Sequence, residues 1–429
     1  MILNTLKEAW GVPSIRKKIG FTLLMLLVFR IGAHIPIPFM NRDLLVDMMG
    51  SGGIFDFFNT FSGGSLKRFS VFALSIMPYI TASIIIQLLT VVVPYLERLS
   101  KEGEEGRKKI VQYTRYGTVV LGFINGLGLT IGLRGALVIP SEGFRIPIYL
   151  MVALVLTAGT AFLMWLGEQI TEKGIGNGIS IIIFAGIVAG VPDAIKYLAG
   201  LLRVGEIGWF SIISLLIICA LIIAGVVFIQ EGQRRIPVQY AKRVVGRKVY
   251  GGQSTHIPLK VNQAGVIPII FGISLMAFPA TIATWMPQDS SFALFVNKWL
   301  TMNGSVYSIP YLVVYDLLII FFTYFYTGIT FNPIDVAENL KKYGGFIPGI
   351  RPGKPTSDYL FKILNKVTMA GGLFLALIAV LPSLVMGITG IENIYLGGTS
   401  LLIVVSVALD TMKQMEAQLL QRHYQGFLK

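Results

Sequence analysis

The sequence predicts an all-α membrane protein with ten transmembrane helices. Hydrophobic residues make up 54% of the 429 positions and charged residues only 14%, whereas soluble domains carry about 25% charged residues. The charged residues are also grouped in short clusters between long uncharged runs, and a spanning helix needs roughly 20 mostly apolar residues. This pattern excludes an ordinary soluble enzyme, a disordered chain and a coiled coil.

Ten apolar runs are candidates for spanning helices, and the fifth and tenth of them are short. The predicted spans are Ile19–Ile37, Phe69–Val93, Tyr116–Leu133, Ile146–Leu166, Gly176–Val191, Trp209–Ile229, Ala264–Met286, Ile309–Phe331, Val367–Gly387 and Ile394–Leu409.

The positive charge of the chain predicts the orientation of these spans. The formal net charge is +14, and 27 of the 36 lysine and arginine residues lie before the first span, in every second connection and after the tenth span. Lysine and arginine accumulate on the cytoplasmic side of membrane proteins. We therefore expect both termini to be cytoplasmic and much of the net charge to serve orientation.

Two cytoplasmic loops are longer than connections between neighbouring helices need to be. They run over Glu231–Asn262 and Asn332–Lys366, and the second contains the Gly- and Pro-rich turn Gly349–Gly353, which is typical of a defined loop. One interpretation of their basic residues is attraction to lipid headgroups. The other is a docking surface for a large cytosolic partner, including one that carries RNA. Composition alone does not choose between them.

The predicted spans carry few charges, which disfavours several classes of function. Only Arg30 and Asp316 fall near mid-span, and a single pair of this kind is more often structural than part of a transport path. This disfavours an ion-coupled solute transporter. The three histidines lie far apart and no HExxH, GxSxG or GxxxxGK[ST] motif occurs, which disfavours an intramembrane enzyme. A ribosome-binding scaffold that does not conduct remains a further alternative.

Isoleucines recur at helical spacing in three of the spans. Ile76 with Ile80 and Ile179 with Ile183 are four residues apart, so each pair shares one helix face. Ile267 and Ile270 are three residues apart and flank Pro268. A ring of such stiff, β-branched side chains would seal a pore by excluding water. The spacing does not show whether the isoleucines meet.

A glycine-bracketed segment, Gly52–Gly64, lies between the first two spans. It is long enough for one short helix and too short to cross a bilayer. It is either an interfacial helix or a re-entrant one, and a re-entrant segment is tolerated only within protein or beside a water-filled cavity.

Sequence motifs along nearly the whole chain resemble those of the Sec61/SecY family of protein-translocation channels. The matching strings, each given with its first residue, include FRIG (Phe29), IPIP (Ile35), FSGG (Phe61), IMPYITASIIIQLL (Ile76), QYTRYG (Gln112), WLGEQITEKGIGNGIS (Trp165), LKVN (Leu259) and GGTSLLI (Gly397). Phe39 and Ser75 depart from the pattern, because the family commonly has glycine at both positions.

The resemblance implies two five-helix halves, related by inverted pseudo-symmetry, around an hourglass pore. Such inverted repeats recur among membrane transporters. The implied divisions are a cytoplasmic N-terminal segment (1–18), the first half (19–192, with the plug at about 52–64), an external hinge connection (193–208), the second half (209–409, with docking loops 231–262 and 332–366) and a cytoplasmic tail (410–429).

The resemblance also assigns roles to individual residues. The implied pore ring is Ile76, Ile80, Ile179, Ile183, Ile270 and Ile403, of which Ile403 is suggested by the resemblance alone. The implied plug, a short helix that closes the pore on its outer side, has its core at Ile54, Phe55, Asp56, Phe57, Phe58, Asn59, Thr60 and Phe61. The implied lateral gate, between spans two and three and spans seven and eight, contains Thr81, Gln87, Asn125 and Phe278.

The two long loops correspond to the family's docking site for the motor ATPase SecA and for the ribosome. The implied docking residues are Arg351 first, then Arg234, Arg235, Lys242, Arg243, Arg247 and Lys248. The resemblance therefore implies a passive channel in the bacterial inner membrane, with no enzymatic activity, cofactor or metal of its own. Its expected partners are SecE, SecG, SecA, the ribosome through rRNA, secretory preproteins, nascent membrane proteins and anionic phospholipids.

Overall fold

The computed structural model describes residues 10–41, 44–45, 59, 62–138, 145–240, 243–245, 248–250, 254–286, 290–300, 309–389 and 398–426. Each of the ten predicted spans overlaps a helix within these residues. In chain order these ten helices are α1 (Pro13–Gly32), α2 (Met77–Val92), α4 (Glu104–Gly132), α5 (Arg145–Lys173), α6 (Gly178–Val204), α7 (Trp209–Glu231), α8 (Ile267–Trp285), α10 (Ile309–Thr330), α12 (Lys354–Thr389) and α13 (Gly398–Gly426).

Three shorter helices accompany these ten: α3 (Pro94–Lys101), α9 (Ser291–Trp299) and α11 (Pro333–Lys342). Within the described residues, α5, α6, α7, α10 and α12 are each long and apolar enough to cross a membrane by themselves. A sixth span results if α2 and α3 are counted together, although the chain bends by 99° between them. The fold is that of a mostly helical, multi-pass membrane protein.

The helices pack as two bundles that meet along two seams. In the first bundle α4 lies between α2 and α5, and α5 also contacts α1 and α6. In the second bundle α10 lies between α8 and α12, while α13 contacts α7 and α12. One seam joins α8 to α2 and α4, and the other joins α6 to α13. The chain therefore forms two five-helix halves that enclose a common centre.

The first third of the predicted second span is not helical. Residues 62–76 form a series of turns, and α2 begins only at Met77. An extended pairing replaces the helix: Ile37 N donates to Phe69 O at 3.0 Å and Val71 N donates to Ile35 O at 3.0 Å. Phe72 then stacks on Phe29 of α1, with 6.1 Å between ring centroids. Contacts with α1 and the segment after it therefore override the helical preference of this apolar run.

Other helices extend beyond the predicted spans. α6 continues through Pro192 to Val204, so that the connection to α7 is confined to residues 205–208. α12 begins at Lys354, within the region assigned to the second cytoplasmic loop. Near the chain ends, Lys18 Nζ donates to Gln418 Oε1 at 3.1 Å, and Ile15 packs with Met415 and Leu419. The start of α1 and the end of α13 thus lie on one side of the molecule.

The two long loops join in a single small sheet, which the all-helical prediction did not contain. β1 (Gln233–Tyr240) pairs antiparallel with β4 (Ser254–Lys260) and with the short β5 (Gly345–Phe346), in the order β4-β1-β5. Ile236, Val238 and Leu259 face an apolar core that Leu340 of α11 and Leu360 of α12 complete. Two further strands, β2 (Arg243–Val245) and β3 (Lys248–Tyr250), form a separate hairpin. We refer to the β4-β1-β5 sheet as the docking sheet, after the docking role that is predicted for its two loops.

Candidate functional site

The predicted isoleucine ring lies in the core between the two bundles. Five of the six isoleucines belong to one continuous apolar cluster, and the sixth, Ile179, packs against it. The exposed fraction of these five side chains is between 0% and 9%. The five are Ile76, Ile80, Ile183, Ile270 and Ile403. Helices from both halves therefore contribute to one apolar centre, as a pore seal requires, while the role of these residues as a pore ring stays a prediction.

Most polar side chains buried in the described residues are small and neutral. Apart from Tyr315 with its hydroxyl, every polar side chain that is buried as a whole belongs to serine, threonine or asparagine. The two predicted mid-span charges are half-buried and differ in their contacts. Arg30 is bonded to a backbone carbonyl, whereas Oδ1 of Asp316 is buried without a hydrogen-bond partner among the described residues. Substrate-coupling sites in transporters need buried ionisable groups, and Asp316 is the predicted mid-span residue that has such a buried oxygen.

Arg30 holds the turn that leads from the predicted plug to α2. Its Nη1 donates to Gly63 O at 2.8 Å. Gly63 has φ +66°, and a Cβ there would lie 3.2 Å from Gly186 Cα of α6, so both its backbone conformation and the close approach favour glycine. This turn is thus fixed between α1 and α6.

Asn59 stabilises the other end of the same turn by accepting hydrogen bonds. Its carbonyl oxygen accepts from Gly64 N at 2.9 Å, and its side-chain Oδ1 accepts from Lys67 N at 2.9 Å. Ser62 Oγ donates to the same carbonyl at 3.0 Å. Asn59 is the one residue of the predicted plug core in the described part of the chain, and Ile54, Phe55, Asp56, Phe57, Phe58, Thr60 and Phe61 lie outside the described residues.

The two departures from the family pattern coincide with unusual backbone conformations. Phe39 has φ +67° and Ser75 has φ +53°. In this region of the Ramachandran plot the Cβ of an L-residue is crowded, whereas glycine is unhindered. The structure therefore gives a physical reason for glycine at both positions, and this chain carries a side chain at each of them.

The predicted gate residues lie on helices of the seam between α8 and α2 with α4. Their hydrogen bonds stay within α2: Thr81 Oγ1 donates to Met77 O at 3.1 Å, and Gln87 Nε2 donates to Ser83 Oγ at 3.2 Å. Asn125 is half-buried, and Phe278 is 46% exposed. The gate role of these residues stays a prediction.

The predicted docking residues divide into three groups. Arg234 and Arg235 are exposed on β1 of the docking sheet. Arg351 is exposed between Gly349 and Gly353, whose positive φ angles of +81° and +98° shape the loop tip. The backbones of Arg243 and Lys248 lie in the β2–β3 hairpin, and Lys242 and Arg247 lie outside the described residues.

Two ion pairs lie at the surface of the first bundle. In the exposed helix α3, Lys101 Nζ lies 2.7 Å from Glu97 Oε1. This hydrogen bond raises the pKa of Lys101 and lowers the pKa of Glu97. Arg115 of α4 forms a two-bonded pair with Glu168 of α5, at 2.9 and 2.8 Å. In the described part of the chain, no group of three His, Cys, Asp or Glu side chains could hold a metal ion.

The sequence did not predict a buried polar network where the docking sheet joins the ends of the helices. It consists of Gln230, Asn262 and Ser406, which are linked by side-chain hydrogen bonds. The three residues are far apart in sequence, so only the fold reveals their contact. The available signal was an amide side chain at the predicted end of each of two membrane segments.

Known proteins are similar to this chain in sequence over most or all of its length. The SecY family model matches residues 70–412. Protein translocase subunit SecY of Halalkalibacterium halodurans is 53% identical, with all of both chains covered, and that of Bacillus subtilis is 50% identical, also with all of both chains covered. The corresponding subunit of Thermotoga maritima is 46% identical over 99% of this chain and 97% of its own length.

Solved structures share the fold at low sequence identity. A structure described as a protein conducting channel has a TM-score of 0.66 and 20% identity, and the match covers 94% of this chain and 92% of that one. Sec61 in a canine ribosome-channel complex from the endoplasmic reticulum has a TM-score of 0.63 and 19% identity, with the same coverage. The two-bundle fold, the central isoleucines and the full-length sequence matches lead to one conclusion: this chain belongs to the SecY family.

Proposed function

We propose that the chain is the channel subunit of a protein translocase. It passes unfolded secretory polypeptides across the membrane and releases signal sequences and transmembrane segments sideways into the lipid. The observation that carries this proposal is the apolar centre to which isoleucines of both bundles contribute. A surface of stiff apolar side chains excludes water and ions at rest, yet has no fixed charge that would select among passing polypeptides.

The lateral exit of the proposed channel is the seam between α8 and the pair α2 and α4. Hydrogen bonds between transmembrane helices contribute only about 0.6 kcal/mol each on average, and the bonds of Thr81 and Gln87 stay within α2. A seam of this kind closes by apolar packing and opens at low cost. An apolar signal sequence that reaches it then moves into lipid by the hydrophobic effect.

The energy for transport comes from outside the chain, which we infer to have no enzymatic activity of its own. We assign this role to SecA, to the translating ribosome and to the proton-motive force. The docking sheet and the Arg351 loop supply the contact surface. Their guanidinium groups suit both phosphate of rRNA and carboxylates of a motor protein. The sheet supports this assignment because both long loops contribute strands to it.

The proposed complex lies in the bacterial inner membrane with both chain termini in the cytoplasm. The contact between Lys18 and Gln418 supports this topology, since it places the two ends of the described chain on one side. We assign SecE to the outside of the two halves, where it would clamp them together, and SecG to a more peripheral position. Anionic phospholipids would contact the basic loops.

Crosslinking of a stalled precursor tests the proposed function. A photoreactive residue is placed at Ile183 or at Thr81 in the complete complex, and a secretory precursor is arrested during SecA-driven transport. We expect crosslinks from Ile183 to the mature part of the precursor and from Thr81 to its signal sequence. A photoreactive residue at exposed Phe228 on α7 is the control. Crosslinks of equal yield from all three positions, or from none, would contradict a central pore with a sideways exit.

A further inference from the structure

A buried polar network joins the docking sheet to the helices below it. Asn262 Nδ2 donates to Gln230 Oε1 at 3.3 Å and to Gly265 O at 3.0 Å. Gln230 Nε2 in turn donates to Ser406 Oγ at 2.6 Å. Asn262 is 3% exposed and Ser406 is 1% exposed. We name Gln230, Asn262, Gly265 and Ser406 the foot junction.

The foot junction lies where three structural units converge. Gln230 is in the last turn of α7, directly before the docking sheet begins. Asn262 follows the end of β4 and precedes the start of α8 at Ile267. Ser406 is one helical turn beyond Ile403, which belongs to the central apolar cluster. The junction therefore connects the sheet, the seam helix α8 and a helix that lines the centre.

Backbone contacts also stabilise the foot junction. Val261 N donates to Gly232 O at 2.9 Å, which closes the base of the β1–β4 hairpin. On the other side, α12 packs directly on this segment, because a side chain at Gly371 would collide with the carbonyl oxygen of Val261. A salt bridge of 2.8 Å between Glu231 and Lys413 further joins α7 to α13. The end of β4 is thus held by α7 and α12, and α7 is in turn joined to α13.

The hydrogen bonding of Asn262 indicates that its amide nitrogen, and not its amide oxygen, is the group that contributes to the structure. Its Oδ1 is buried without a hydrogen-bond partner among the described residues, and a buried polar atom without a partner is destabilising. A leucine of similar size would avoid this cost but would lose both hydrogen bonds of Nδ2. The contribution of the amide therefore lies in those two bonds, which reach α7 and the turn before α8.

We propose that the foot junction makes the docking sheet and α8 one rigid unit, with Asn262 as the positioning residue. A partner that docks on the sheet then displaces α8 relative to α2 and α4 and opens the seam between the two bundles. This proposal rests on the docking role of the sheet given under the proposed function. It adds the route by which docking at the cytoplasmic surface reaches the gate.

The test compares three variants of the complete complex in vesicles. Asn262→Leu removes both amide bonds, and Ser406→Ala is a milder variant that removes only the acceptor of Gln230. Gln263→Ala is the matched control, since Gln263 is adjacent and its Oε1 accepts only a local bond from Lys260 N at 3.2 Å. Fluorescent probes at Thr81→Cys and Phe278→Cys, in a Cys219→Ser background, report the seam.

Purified SecA is the probe of docking, and three quantities are measured. For Asn262→Leu we expect SecA affinity to stay within about twofold while SecA-stimulated transport falls about tenfold, a typical coupling factor between two sites. The SecA-induced change in probe separation should shrink in parallel. Ser406→Ala should act in the same direction and more weakly, and Gln263→Ala should resemble the unsubstituted channel.

Two outcomes would overturn the proposal. A parallel loss of SecA affinity and transport would make Asn262 part of the docking surface itself. Unchanged transport in both variants would leave the junction with no role in gating. If Asn262→Leu fails to accumulate in the membrane, the milder Ser406→Ala decides between these outcomes. A lack of SecA-stimulated transport by the unsubstituted channel would instead overturn the proposed function, so the two failures are distinguishable.

Discussion

The guanidinium group of Arg30 donates a 2.8 Å hydrogen bond to the carbonyl oxygen of Gly63, and this bond joins α1 to the turn before α2. The same turn is packed against Gly186 of α6. Three elements of the first bundle therefore converge at the end of the predicted plug. The mid-span arginine, whose sequence position suggested a partner in Asp316, serves to fix a backbone segment.

Replacement of Arg30 by leucine should loosen this turn and raise the resting ion conductance of the channel. The loss of a hydrogen bond to a charged group costs about 1.5–3 kcal/mol, and the turn carries the segment that is predicted to close the pore. Single-channel recording in planar bilayers measures the effect. Arg203→Leu, at an exposed arginine near the end of α6, is the control and should leave conductance unchanged. Equal conductance in both variants would contradict the role of Arg30.

Simultaneous replacement of Ile76, Ile183, Ile270 and Ile403 by serine should raise ion leakage through the resting channel. Hydroxyl groups in place of these apolar side chains allow water to enter the constriction. The matched control replaces the exposed isoleucines Ile146, Ile195, Ile213 and Ile223 in the same way. Leakage should rise only in the first variant, and unchanged single-channel leakage there would refute the predicted seal.

Arg351→Glu should impair SecA-driven transport about tenfold without reducing the amount of channel in the membrane. Arg351 is exposed, and its backbone is held by Thr356 Oγ1, which donates to Arg351 O at 2.8 Å. Truncation or reversal of a charge at the centre of an interface commonly costs more than 1 kcal/mol. Lys362→Glu makes the same charge change on exposed α12 and should transport normally. Normal transport by Arg351→Glu in vesicles would count against the docking role.

At Ser75, glycine should be more stable than alanine by about 1 kcal/mol, because an L-residue with φ +53° suffers steric crowding of that order. Ser75→Gly and Ser75→Ala both remove the hydroxyl and differ only in Cβ. Ser83, inside α2, is the control, and there alanine should exceed glycine by about 1 kcal/mol. Thermal unfolding of the four purified variants gives both differences, and the same order at both positions would be evidence against strain at Ser75.

The positions of the ten long helices could be predicted from sequence because apolar runs of sufficient length have few alternatives in a bilayer. The start of α2, in contrast, could not be predicted from the sequence. Residues 69–76 are mostly apolar and contain neither glycine nor proline, so nothing local argues against a helix. Their turns depend on pairing of Phe69 and Val71 with Ile37 and Ile35, which is a tertiary contact.

In the candidate site, too, features set by local spacing could be predicted and features set by long-range contacts could not. The face shared by Ile76 and Ile80 follows from helical spacing, but the contribution of Ile403 to the same cluster depends on how α13 packs. The docking sheet was missed because β5 comes from a different loop than β1 and β4, and two residues of strand carry no periodic signal. The foot junction was missed for the same reason.

Ile76, which caps the start of α2, and Ile80 are four residues apart, as are Ile179 and Ile183 of α6, so each pair spans about 6 Å along its helix. The hydrocarbon core of a bilayer is about 30 Å thick. In an hourglass pore, most of the transmembrane voltage then falls across this thin apolar layer. A charged residue gains or loses about 2.3 kcal/mol per 100 mV within one helical turn of travel. The proposed seal therefore also concentrates the electric field, and the sign of each side chain that crosses it would bias the direction of movement.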